Sequence, residues 1–369
     1  MESERGLRIL FTGGGTGGHL FPAVATAEAF KNKHPSTSVF FIGTRRGVDE
    51  RTLAAHGFTF QNICCYGLKG KNFRELLKAV SVLPFSYLQA MIIIRRFRPD
   101  LIVGVGGYVT GPVVVAAKTL GVPAVIHEQN VIPGLANRKL SKIVDRICLS
   151  LPGSEKWFSE KKCVFTGNPV RRSILNLASK GLSPTSTKKT VLILGGSQGA
   201  MGVNRMVTAA FTSLSEQALS GLKVIHQTGE KDVKMVEEVY LQNKIEARVQ
   251  SFFVDMDRIY READLVVSRA GATTLSELAV LGKPAILIPY PHAADNHQKK
   301  NSDYYVEGGG AIVILEKSGN GAMLAEKIYE LIGDDATLKK MGRAMEKMSF
   351  PDAADRIVNC CLEIVNYGY

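Results

Sequence analysis

The sequence predicts an α/β protein built from two Rossmann-like domains facing across a cleft. Three observations carry that expectation. The apolar run "LRILF" (Leu7–Phe11) feeds a glycine loop, "TGGGTGGH" (Thr12–His19), and then a helical stretch. About 180 residues later "KKTVLILGGSQGA" (Lys188–Ala200) repeats the order of strand, glycine turn and helix start. The other strands are near-continuous Val/Ile/Leu runs, the mark of parallel strands covered on both faces by helices.

In order, "PAVATAEAFKNK" reads as the first helix and "SVFFIG" as the second strand. "PDLIVGVGG" (Pro99–Gly107) and "PAVIHEQN" (Pro123–Asn130) are further buried strands, each running into glycine or polar residues. In the second half "KVIHQTG", "VQSFFVD", "ADLVVSRAGATTLSE" and "KPAILIPYP" repeat that logic. Between the halves, "GNPVRRSILNLASKGLSPTSTKK" ends in a Pro/Ser/Thr-rich linker. The expected division is residues 1–168, residues 169–345, and a C-terminal helix in 346–369. Ligands of such sheets bind at the carboxyl ends of the strands, where the glycine loops lie.

The chain has 369 residues and a net charge of +12. Residues 1–168 hold 22 Lys/Arg against 11 Asp/Glu, and residues 169–369 hold 24 against 23, so nearly all the surplus is in the first half. A basic face attracts phosphate-bearing ligands, anionic lipid or nucleic acid. The six cysteines (Cys64, Cys65, Cys148, Cys163, Cys360, Cys361) show no metal-ligand spacing and read as reduced cytosolic thiols. The acid-bearing start "MESERGLRILF" does not read as a secretory signal.

The first loop contains GxGxxG (Gly13, Gly15, Gly18), but a dinucleotide site also needs an acid at the end of the second strand. Gly43 and Thr44 stand there, and Asp49 and Glu50 come later. The loop also lacks the GK[ST] of a P-loop. What remains is a nest of N–H groups at a helix start, suited to a diphosphate or carboxylate. His19, directly after it, is either a general base or a loop cap. "GGSQG" matches the GxSxG nucleophile elbow, so a serine hydrolase using Ser197, with Asp264 and His292 or His297, is a rival. Otherwise Ser197 holds a phosphate at a helix start. In "SRAGATTLSELAVLGKP", Thr273 and Thr274 stand near a helix N-terminus whose dipole favours anions, and Glu277 follows a turn in, able to accept from two sugar hydroxyls or to cap the helix. "DMD" (Asp255–Asp257) resembles a metal motif, but two acids in a turn more often cap a helix, and no obligatory metal is expected.

"ELLKAVSVLPFSYLQAMIII" (Glu75–Ile94) is strongly apolar, is interrupted by Lys78, Pro84 and Gln89, and is flanked by basic residues. It reads as a membrane span, as core-packed helix, or as a face dipping into a bilayer with its basic flanks on anionic headgroups.

Taken together and in order, "GGTGGHLFPA", "GVGGYVTGP", "HEQN", "GNPVR", "GGSQGA" and "SRAGATTLSELAVLGKPAILIPYP…NHQKKN" resemble the MurG family of bacterial glycosyltransferases, over nearly the whole chain. These enzymes add N-acetylglucosamine to lipid-linked muramyl-pentapeptide in peptidoglycan synthesis. The resemblance implies the glycosyltransferase-B fold, with acceptor on the first domain, UDP-sugar mainly on the second, and the last helix returning to the first. Donor contacts would be Thr16, Gly17, Gly18, Asn130, Arg171, Ser197, Phe253, Ala272, Thr273, Thr274, Leu275, Ser276, Glu277 and Gln298, with Glu277 on the ribose and Gln298 on the sugar. The acceptor would meet Gly14, Gly15, Gly106, Gly107, Tyr108, Thr110, His127 and Glu128. His19 is the first choice for the base that takes the acceptor proton in an inverting transfer, and His127 the second. Leu76, Leu77, Leu83 and Phe85 would touch the membrane. The expected partners are UDP-N-acetylglucosamine as substrate, the lipid-linked muramyl-pentapeptide, an anionic membrane surface and other cell-wall synthesis proteins. No cofactor and no nucleic acid are expected. A related transferase with another acceptor is the remaining alternative.

Overall fold

A computed structural model describes residues 6–14, 17–44, 47–67, 72–181, 188–196 and 199–366. It divides into two compact units, Met1–Arg171 with Phe350–Tyr369, and Arg172–Ser349.

The first unit holds a seven-stranded parallel sheet. Its elements are β1 (Arg8–Thr12), α1 (Gly17–Lys33), β2 (Ser38–Gly43), α2 (Gly47–Ala55), β3 (Thr59–Asn62), α3 (Phe73–Phe97), β4 (Leu101–Gly104), α4 (Thr110–Thr119), β5 (Ala124–Glu128), α5 (Leu135–Leu140), β6 (Arg146–Leu149) and β7 (Cys163–Phe165). The strand order is β3-β2-β1-β4-β5-β6-β7. Alternate strand residues point to opposite faces, so Ile9 and Phe11 join α1 and α2 in one core, while Leu10, Ile102 and Ile126 join α3, α4 and α5 in the other.

The second unit begins with α6 (Arg172–Ser179), which buries Ile174 and Leu177; the following residues 182–187, read as linker, lie outside the described residues. Then come β8 (Lys189–Leu194), α7 (Met201–Ser213), α8 (Glu216–Ser220), β9 (Leu222–Gln227), α9 (Val233–Gln242), β10 (Ala247–Gln250), α10 (Met256–Glu262), β11 (Leu265–Ser268), α11 (Ala272–Val280), β12 (Ala285–Leu287), α12 (His297–Glu307), β13 (Ala311–Val313), α13 (Gly321–Ile332) and α14 (Asp335–Lys347). The six parallel strands run in the order β10-β9-β8-β11-β12-β13.

The last helix, α15 (Ala353–Asn366), belongs to the first unit. Its Ile357, Val358, Cys360 and Cys361 complete the core around α1. The chain returns there at Phe350, whose ring meets Phe165 edge-on at 4.9 Å. Gly167 sits beneath that ring, where any Cβ would collide with it.

Helix α3 is long and apolar enough to cross a membrane, with a mean hydropathy of 1.6 over Leu77–Phe97. It is instead fastened along the sheet. Ala79, Ser86, Ala90, Ile93 and Ile94 are buried. Ser86 Oγ donates to the Cys64 carbonyl, and Cys64 N–H donates to Gln89 Oε1 at 2.9 Å. Its outer face carries an exposed stripe of Leu77, Val80, Phe85, Leu88 and Ile92, the last 67% exposed. The spacing of three to five residues keeps them on one side of the helix. Leu83, expected in that stripe, turns inward against the core, because it falls on the same side as Ala79, Ser86 and Ala90. The side chain of Leu76 lies outside the described residues.

Candidate active site

In each sheet the chain leaves a central pair of strands in opposite directions, and the loops at that switch point open a crevice. In the first unit the pair is β1 and β4. Gly13, Gly14, Gly106 and Gly107 all take positive φ, so L side chains are disfavoured at each. A Cβ on Gly107 would come within 2.9 Å of the Gly14 carbonyl oxygen, so the two loops are in contact. His19 projects from the first turn of α1 over Gly106, where an added Cβ would lie 3.0 Å from its Cε1. Its Nδ1 is 3.1 Å from Gln129 Oε1. The Arg171 guanidinium stacks 4.7 Å from the ring of Phe21, two residues beyond His19. The structure thus gathers Gly14, Gly106, Gly107 and His19, sets Arg171 against Phe21 of the same helix, and packs Tyr108 on the core beneath α3 and α4; Gly17, Gly18 and Asn130 adjoin His19 and Gln129 in the chain. Gly15 and Thr16 lie outside the described residues.

Three residues expected to meet the acceptor have buried side chains engaged within the first unit. His127 is 1% exposed and bonded at both ring nitrogens, Nε2 to Ser150 Oγ at 2.8 Å and Nδ1 to Gln129 Nε2 at 3.1 Å. Burial lowers its pKa to about 3, so it is a packed neutral histidine and no base for a substrate. Glu128 is also buried. Its Oε1 accepts from the N–H and side chain of Asn130, and its Oε2 from Gly134 N–H and Asn137 Nδ2. It shapes the loop that presents Asn130 and leaves nothing for an acceptor. The Thr110 hydroxyl is buried and donates to the Gly106 carbonyl at 2.7 Å, fixing the glycine turn from inside.

In the second unit the central pair is β8 and β11. Ser197 lies outside the described residues, between Gly196 and Gly199, both at positive φ. Beside this strand pair α11 starts at Ala272 with Gly271 as its N-cap and no side-chain cap bond from that glycine, so the positive end of the helix dipole lies just past β11. Thr273 and Thr274 are half-buried there. Leu275 is fully buried, so its side chain belongs to the core and only its backbone serves the site. Ser276 Oγ donates back to the Ala272 carbonyl at 2.9 Å. Glu277 is too far into the helix to be a cap. It is buried and accepts from Tyr260 Oη at 3.0 Å. Gln298 Oε1 accepts from Tyr290 N–H at 2.9 Å, pinning the loop after β12.

The side chain of Phe253 is buried, so only its backbone can meet a ligand, and its N–H is given to Gln227 Oε1 at 3.0 Å. Gln227 was missed by sequence reasoning. Its Nε2 reaches the Gly196 carbonyl at 3.3 Å, so one side chain ties the glycine loop to the Phe253 loop. Gln129 was missed likewise, although it stands two residues after His127 and shares its sheet face.

The hydrolase reading fails on position. Asp264 Oδ2 accepts from Thr190 N–H at 2.8 Å, at the amino ends of β8 and β11. The glycine loop leaves the carboxyl end, a strand length or about 15 Å away at roughly 3.3 Å per residue. Asp255 and Asp257 stand at the start of α10, where acids favour the helix dipole. Among the described residues no His/Cys/Asp/Glu group is arranged to hold a metal ion.

Residues 9–149 match the glycosyltransferase family 28 N-terminal domain, and residues 190–357 match the glycosyltransferase family 28 C-terminal domain. The chain belongs to glycosyltransferase family 28. It is 51% identical over 366 residues to the UDP-N-acetylglucosamine–N-acetylmuramyl-(pentapeptide) pyrophosphoryl-undecaprenol N-acetylglucosamine transferase of Desulfotalea psychrophila, covering 99% of each chain. The transferase of the same name from Geobacter sulfurreducens is 41% identical, with 96% of this chain and 97% of that one covered. The crystal structure of Acinetobacter baumannii MurG superimposes with a TM-score of 0.76 at 28% identity, over 97% of this chain and 99% of that chain. A UDP-GlcNAc 2-epimerase from Neisseria meningitidis, solved bound to UDP-GlcNAc, gives 0.70 at 14% identity over 97% and 100% of the two chains, a likeness of fold alone. The two-domain glycosyltransferase-B fold expected from the order of the motifs is the one observed.

Proposed function

We propose that this chain transfers N-acetylglucosamine from UDP-N-acetylglucosamine to undecaprenyl-diphosphate-linked N-acetylmuramyl-pentapeptide, the lipid I to lipid II step of peptidoglycan synthesis. One observation carries the reading: identity of 51% along 99% of both chains to a transferase of that name. The muramyl 4-hydroxyl attacks the anomeric carbon in one displacement, the bond to UDP breaks, and configuration inverts. His19 takes the hydroxyl proton. The N-terminus of α11 takes the UDP diphosphate, Glu277 the ribose and Gln298 the sugar, and Arg171 is a further donor contact that adds positive charge. No residue is assigned as a covalent nucleophile, and no metal is given a part.

The enzyme works as a peripheral protein on the cytoplasmic face of the bacterial inner membrane, where other cell-wall synthesis proteins meet it. Supporting this are the exposed stripe of α3 and the exposed Arg74, Lys78, Arg95 and Arg96 on the same helix. The test of function is UDP release from UDP-N-acetylglucosamine with and without the lipid-linked acceptor. Release that requires the acceptor is expected; equal release without it overturns the reading.

A further inference from the structure

The side chain that joins His19 to His127 has no part in the reading so far. Gln129 is buried at the end of β5. Its Nε2 lies 2.8 Å from the Val105 carbonyl oxygen. A carbonyl only accepts, so this bond decides which end of the amide is NH2. The second N–H of the same group points to His127 Nδ1 at 3.1 Å. The amide oxygen is left facing His19 Nδ1, also at 3.1 Å.

Each histidine tautomer follows. An amide oxygen cannot donate, so His19 must carry its proton on Nδ1, and its basic lone pair is on Nε2. His127 must accept at Nδ1 and therefore donates from Nε2 to Ser150 Oγ at 2.8 Å. The Ser150 hydroxyl continues toward the Gly167 carbonyl at 3.4 Å. Protonating His127 would place two donors face to face at Gln129 Nε2, and its burial opposes that charge. Donation therefore runs one way, from His19 Nδ1–H to Gln129 Oε1 and from Gln129 Nε2–H to the Val105 carbonyl. Gly106 completes the seat, since a side chain there would push against the ring.

We propose that Gln129 is a positioning residue of the transfer, holding His19 in the Nδ1–H tautomer so that Nε2 is the nitrogen that receives the acceptor proton. This rests on His19 as the base. The arrangement has the logic of a base oriented by a third group, with a neutral amide where hydrolase triads use a carboxylate. During transfer the acceptor O–H bond breaks and its proton bonds to Nε2. The resulting imidazolium keeps its Nδ1–H on the amide and returns the Nε2 proton to solvent.

The test is long-range 15N–1H correlation of histidine-labelled full-length protein, with His19→Ala identifying the His19 signals. Wild type is expected to show a protonated Nδ1 and an unprotonated Nε2. Gln129→Leu should move His19 toward the Nε2–H tautomer and lower kcat about ten- to a hundredfold, with both KM values little changed. Gln129→Glu, which keeps an acceptor oxygen toward His19, should retain the wild-type tautomer. An Nε2–H tautomer in wild type overturns the proposal without any variant. So does a Gln129→Leu protein with unchanged tautomer and rate. A tautomer that shifts while turnover stays normal, with near-normal turnover in His19→Ala, overturns the base assignment beneath it and leaves the hydrogen bond standing.

Discussion

The two units carry the same device, a glycine loop and a helix start at the switch point of a parallel sheet, yet furnish it differently. In the first, the opening helix turn bears an imidazole, and the strand ends carry a relay of amide, imidazole and hydroxyl. In the second, the α11 start has no capping side chain, and the surrounding glutamines and arginine clamp loops. Gln227 joins two of them, and Arg269 holds the Ile288 and Pro289 carbonyls while pairing with Glu316 at 2.5 Å. On the proposed reading, one crevice handles a proton and the other holds an anion. The scaffold is neutral between these tasks; the residues of the first helix turn decide.

That contrast breaks most directly at His19. His19→Ala should lower turnover about a hundredfold or more with both substrates saturating. Near-normal steady-state turnover would return the first unit to a binding role only.

The next largest effect is shared by the units. Each buries a neutral histidine at a strand end, His127 on β5 and His226 on β9, and burial lowers both pKa values to about 3. His226 is bonded to Tyr240 Oη at 2.9 Å and Asn204 Oδ1 at 3.1 Å. Below pH 6.5 the unfolded chain binds protons that the native histidines refuse. Stability is therefore full above that pH and falls as pH drops toward 3, by about 2 kcal/mol per histidine at pH 5. Denaturant midpoints between pH 7 and 5 check this. His127→Gln and His226→Gln should each flatten the profile, and a profile unchanged by both would mean that neither is held neutral.

Glu277→Ala should raise the KM for UDP-N-acetylglucosamine about tenfold, or about 1.4 kcal/mol, and leave kcat nearly intact. A pure kcat defect would move Glu277 out of the binding crevice and into the chemistry. The smallest effects belong to α3. Leu77→Ser or Ile92→Ser should weaken binding to anionic vesicles several-fold, at roughly 1 kcal/mol per exposed aliphatic side chain. Leu83→Ser should lower the melting temperature and leave vesicle binding unchanged; sedimentation with lipid separates the two.

Most of the fold was readable because parallel strands and their glycine turns are local patterns. Of the candidate site, the sequence could place His19 and the α11 start at strand ends, and their roles are those proposed above. His127 and His19 look alike in a sequence, and only burial separates a packed imidazole from a base. Gln129 and Gln227 escaped because an uncharged amide announces nothing by itself; each matters for the two groups it joins, which lie far apart in the chain. Leu83 was misplaced because α3 is apolar on both faces, so hydrophobicity could not say which face the sheet takes.

The placement of α15 in the first unit has a consequence for how the protein is made. The ribosome finishes Arg171 early, but the helix that shares a core with Phe11, Phe30 and Phe41 is translated only after the whole second unit. At roughly 5–20 residues per second, synthesis of Arg172–Ser349 occupies on the order of ten to forty seconds. Throughout that interval the nascent first unit presents an uncovered apolar flank. A chaperone has its longest opportunity there, and a message truncated before codon 350 would yield a chain that can complete its second unit and never its first.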